Sequence, residues 1–167
     1  MPQYWFTKHY PHPDSQKIPW FYDFADQNDA DARQVSKGDK IVFYETSECP
    51  YQRFEGETLY VRASGRSRVV GIANVTDGIV KPARRLQYKK KPNLNFRWQK
   101  DCADHETYDH ALQNMLCYEK VKTILKTKNP HLYVGRSIIR ISKAMYDEFR
   151  GRLATFAPLV KCGPTGF

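Results

Sequence analysis

The stretch Lys37–Glu48, "KGDKIVFYETSE", decides how the chain folds. Ile41, Val42, Phe43 and Tyr44 are apolar or aromatic at every position, and Glu45, Thr46 and Ser47 follow at once. A strand with one wet face alternates apolar and polar side chains. This one does not, so both of its faces must be covered. Ile41 and Phe43 are expected to point into a packed interior. Val42 and Tyr44 are expected to meet a covering element. Lys37-Gly38-Asp39 reads as the turn that launches the strand.

The elements around it are short. Gln3–Thr7 reads as a first strand, and His9–Pro19, with prolines at 11, 13 and 19, as a loop. Asn28–Ser36 reads as a short helix with acidic residues crowding its first turn. Thr58–Ala63 and Val69–Thr76 read as strands joined by a hairpin through "SGRSR". Gly71, inside the second, marks a bend or a close backbone approach. One or two strands are expected in 84–100, and 102–109 matches no single pattern. Ala111–Cys117 and Glu119–Thr127 read as helical, the latter with Val121, Ile124 and Leu125 on one face. Ser137–Ile141 reads as a strand. Ser142 then caps a last helix, with Ile141 and Tyr146 placed as a hydrophobic staple and Met145, Phe149 and Leu153 as its buried stripe. The expected architecture is α+β: a strongly curved mixed sheet or pseudo-barrel of five to six strands flanked by short helices. A single domain over 1–153 is expected, with 154–167 as a tail that frays.

Composition narrows the partners. The chain has 167 residues, 41% of them hydrophobic, enough for one real core. No stretch approaches the roughly 20 apolar residues of a membrane span, so no membrane partner is expected. Four scattered cysteines without a CxxC suit reduced thiols in the cytoplasm. The net charge is +9. It is concentrated in 79–100, where Lys81, Arg84, Arg85, Lys89, Lys90, Lys91, Arg97 and Lys100 stand with no Asp or Glu. A one-sided basic segment fits a polyanion, most simply nucleic acid, DNA or RNA. Its aromatics Tyr88, Phe96 and Trp98 read mainly as core, its charges as phosphate contacts.

No pattern for catalysis emerges. The chain lacks G-x-S-x-G, a P-loop, G-x-G-x-x-G and the deaminase signature. "HETYDH" at 105–110 nearly gives H-E-x-x-H, but the second histidine falls one position late for a shared helix face. No metal, cofactor or catalytic group is expected. The better candidate is an aromatic and polar pocket drawn from Trp20, Phe21, Tyr22, Tyr44, Glu45, Thr46 and Lys8. A splayed base needs aromatic faces for stacking and fixed donors and acceptors for its edge. A carboxylate such as Glu45 accepts from an exocyclic amine. The alternative is that Trp20, Phe21 and Tyr44 are simply core and Glu45 is solvated.

Several of these segments together resemble the EVE domains of the PUA-like superfamily, relatives of the YTH and SRA domains. "YWFTKHYP" at 4–11 is similar to their opening strand, with Tyr4, Trp5, Lys8 and Pro11 matching, and Trp20 stands where they place a second tryptophan. "VSKGDKIVFYETS", "VVGIANVTDG" and "IRISKAMYDEF" resemble their later strands and last helix. The resemblance covers roughly 3–78 and 119–152, and 79–118 has no counterpart. Two departures concern the ligand: "FYDF" replaces an asparagine-bearing run, and Glu45-Thr46-Ser47 replaces His-Ser-Asn. The resemblance implies a pseudo-barrel that binds a modified base without chemistry, a reader and not an enzyme. Two other readings stay open: an enzyme or enzyme subunit acting on nucleic acid, and a small-ligand or protein-interaction module on the same fold.

Overall fold

The computed structural model describes residues 1–9, 21–24, 33–46, 53–55, 58–60, 67–78, 81–82, 87–88, 98–107, 116–126, 138–155 and 160–161. The decisive stretch forms a strand, Lys40–Glu45, at the centre of a mixed sheet. Numbered along the chain, β1 is Tyr4–His9, β2 Phe21–Phe24, β3 Lys40–Glu45, β4 Arg53–Glu55 and β5 Thr58–Tyr60. Then come β6 Arg68–Val75, β7 Lys81–Pro82, β8 Gln87–Tyr88, β9 Trp98–Thr107, β10 Ile138–Ile141 and β11 Val160–Lys161. Helix α1 spans Tyr118–Leu125 and α2 spans Lys143–Leu153.

The main sheet runs in the order β10-β1-β3-β6-β9-β11, with β2 and β7 also paired to β9. β1 and β3 are parallel, and the other pairings along this path are antiparallel. The α+β expectation holds. The strand count of five to six is too low: eleven strands occur among the described residues, eight in the main sheet and three in a second, β5-β4-β8. Their pairings leave the main path open from β10 to β11. The hairpin expected through "SGRSR" is corrected too. β5 pairs with β4, because both edges of β6 are already taken by β3 and β9. The tail expected to fray contributes β11, which pairs with Thr107 and Glu106 of β9.

Both faces of β3 are buried, as its composition requires. Ile41 and Phe43 pack with Trp5, Val35, Val70, Ala73, Val75 and Ile138. Val42 and Tyr44 pack on the other face with Phe6 and with both helices, through Val121, Ile124 and Leu125 of α1 and Phe149 and Leu153 of α2. Gly71 lies beside an irregularity in β6. Phe43 is opposite Gly71 and Tyr44 opposite Val69, so Val70 is an extra residue, a β-bulge.

The turn before β3 is locked by Asp39, which is buried. Its carboxylate accepts hydrogen bonds from the Gln3 amide (2.9 Å), the Trp5 indole Nε1 (2.8 Å) and the Ser36 amide (2.9 Å). Gly38 sits at φ +85°, a conformation that side chains with a Cβ resist. Its amide bonds the Val75 carbonyl at 2.9 Å, and the Val75 amide returns to Asp39 O at 2.9 Å.

Helix α2 begins as its sequence indicates. Ser142 Oγ accepts from the Met145 amide at 3.2 Å, and Ile141 and Tyr146 join the same apolar cluster. Ser142→Ala removes that cap and is expected to cost about 1 kcal/mol. For a chain of this size that lowers the melting temperature by roughly 2–4 °C. Thermal unfolding checks it, and an unchanged melting temperature means that the cap carries no net stability.

Candidate functional site

Period-two geometry divides the predicted pocket. Tyr44 shares its face with Val42 and the helices, while Glu45, one residue on, shares the face of Ile41 and Phe43. On β1, Lys8 lies on the side of Phe6, so it joins Tyr44, its partner in the β1–β3 ladder. The sequence segment Tyr44-Glu45-Thr46 therefore serves two surfaces, not one.

On the helix face, Tyr44 is a core residue. It is 1% exposed, and its ring lies 5.9 Å from that of Phe6. It has no free face on which a base could stack. Its hydroxyl reaches Ser67 Oγ at 3.1 Å. Burial raises the Tyr44 pKa, and the Ser67 hydrogen bond offsets part of the rise. Ser67 holds a left-handed backbone at φ 52° to make this contact. Lys8 is half-buried, and burial lowers the pKa of its ammonium. Thr46 is buried just past the end of β3.

The other face ends in a polar group over an apolar floor. Glu45 is 3% exposed and stands directly opposite Arg68 of β6, which is 4% exposed. Residues opposite each other in an antiparallel ladder project from the same face, with Cβ atoms about 4.5–5.5 Å apart. Thr7, also buried, lies on this face two residues beyond Trp5. Across the other edge of β3, His9 is the ladder partner of Glu45. The chain around Arg68 is pinned as well: an isolated bridge joins Arg68 to Cys117, just before α1, and the Val69 amide bonds Leu116 O at 3.2 Å. Glu45 is thus buried and not solvated. From the sequence alone Arg68 reads as part of the hairpin turn "SGRSR". The bulky pair Val69-Val70 that follows it was the available sign of a strand beginning there.

Phe21 and Tyr22 are not brought to this end by the ladder. In β2 they pair with Asp101 and Lys100 of β9, beyond the Val75–Cys102 end of the β6–β9 ladder. About 30 Å of strand path separates that position from Arg68, at about 3.3 Å per residue. Trp20 lies outside the described residues, as do Arg84, Arg85, Lys89, Lys90, Lys91 and Arg97. Of the predicted phosphate contacts, Lys81 is placed, in β7 opposite Gln99 of β9. His105 and Glu106 lie in extended β9, so helical spacing does not relate them to His110. Glu106 is instead taken by Arg150 of α2, in a two-pronged ion pair whose second contact is 3.4 Å.

No family model matches the chain, and no curated protein matches it. Among solved structures, it is similar to a protein from Pseudomonas putida, with 18% identity over 89% of this chain and 98% of that one and a TM-score of 0.46. It is similar to a hypothetical protein from Leishmania major, with 16% identity over 93% and 97% and a TM-score of 0.45. A protein from Pseudomonas syringae shows 14% identity over 90% and 99%, with a TM-score of 0.43.

Proposed function

We propose that the chain is a nucleic-acid reader of the EVE, PUA-like type, which takes a modified base against the polar end of β3 and holds the phosphate backbone with its basic segment. The observation that carries this reading is buried Glu45 at the end of a doubly covered strand, with polar Thr7 and Arg68 on the same face. Binding sites are mostly apolar with a few fixed polar groups, and this end of the sheet has that composition. The net charge of +9 supports a polyanionic partner. A further support is the Trp5–Asp39 hydrogen bond, which ties together two of the segments that carry the resemblance, "YW" and "KGD". The PUA-like pseudo-barrel, with the six-strand path as its wall, belongs to the same proposal. So does the role as reader and not enzyme.

The test is a binding panel of short DNA and RNA oligonucleotides, each with one modified base, measured at several salt concentrations. Wild type is expected to prefer one base and to weaken with salt. Glu45→Gln keeps the shape and one acceptor but loses the charge. It is expected to change the ranking among bases more than the overall affinity, with melting measured alongside. A folded Glu45→Gln protein that ranks every base as wild type does removes Glu45 from the site. Salt-independent binding, or none to any oligonucleotide, removes the reading.

A further inference from the structure

We draw no further inference here: the strongest candidate, the side-chain cluster at the N-terminus of α1, where Cys117 bridges to Arg68 of β6 and the Ser67 and Tyr44 hydroxyls meet, rests on a helix N-terminus and a lone cysteine, and nothing else among the described residues points to a ligand there.

Discussion

Replacing Asp39 by alanine is expected to cost about 3–5 kcal/mol of stability, on the basis of roughly 1–3 kcal/mol for the buried Trp5 donor left unpaired and about 1 kcal/mol for each of the two part-buried amide hydrogen bonds lost. In a chain of this length that is a fall of on the order of 10 °C in melting temperature. Three donors converge on this one carboxylate, and the Trp5 indole among them is on a side chain with no exposed surface. Nothing in an alanine can accept from them, and the buried Trp5 indole cannot turn to water as the part-buried Gln3 and Ser36 amides can. Asp39→Asn should be milder, about 1–2 kcal/mol. Its amide oxygen can take the place of Oδ2, which serves Trp5 and Ser36, while its NH2 group then opposes the Gln3 amide. Trp5→Phe removes the indole donor, so the Trp5 and Asp39 costs should be less than additive in a double-mutant cycle. Melting of the four proteins measures this. Wild-type melting of Asp39→Ala would show that the hydrogen bonds have no net worth.

This result bears on how much of the molecule its sequence discloses. The segments "YW" and "KGD" are legible as separate motifs, but their connection is not. Asp39 looks like an ordinary turn residue until Trp5 is placed beside it. Local signals were read correctly where local physics dominates. The apolar residues of β3 demanded two covered faces, Val121, Ile124 and Leu125 gave α1 its stripe, and Ser142 capped α2. Pairing is less legible, because partner choice depends on which edges are already taken. "SGRSR" has the composition of a hairpin turn, yet β6 is filled by β3 and β9 and β5 goes elsewhere. β9 was obscured for a different reason. Its polar run "QKDCADHET" hides a central strand, since Glu106 is neutralised from outside the sheet by Arg150. The candidate site shows the sharpest lesson. Tyr44 and Glu45 are neighbours in sequence and so belong to opposite faces, a consequence of strand geometry that needs no coordinates. The residue that stands opposite Glu45 comes from another strand, and it is Arg68.

The largest effect on binding is expected from the lysine triplet Lys89, Lys90 and Lys91. Changing all three to glutamine should weaken nucleic-acid binding on the order of a hundredfold at physiological salt, for every sequence alike. Each phosphate released lowers the slope of log K against log salt by roughly 0.9 on duplex DNA and 0.7 on single strands. Full engagement of the triplet therefore makes the slope shallower by about 2–3. A competing role has its own physics. The triplet follows directly on β8, which ends the three-stranded sheet β5-β4-β8, and lysines are a common guard against pairing of such edges between molecules. The two roles separate cleanly. An electrostatic footprint gives a variant that stays monomeric, melts as wild type does and binds with the shallower slope. Edge protection gives unchanged affinity and slope, with association that grows with protein concentration. A preference for one base, as proposed for the protein, should survive the triple change in either case, because phosphate contacts position a strand and base contacts select it.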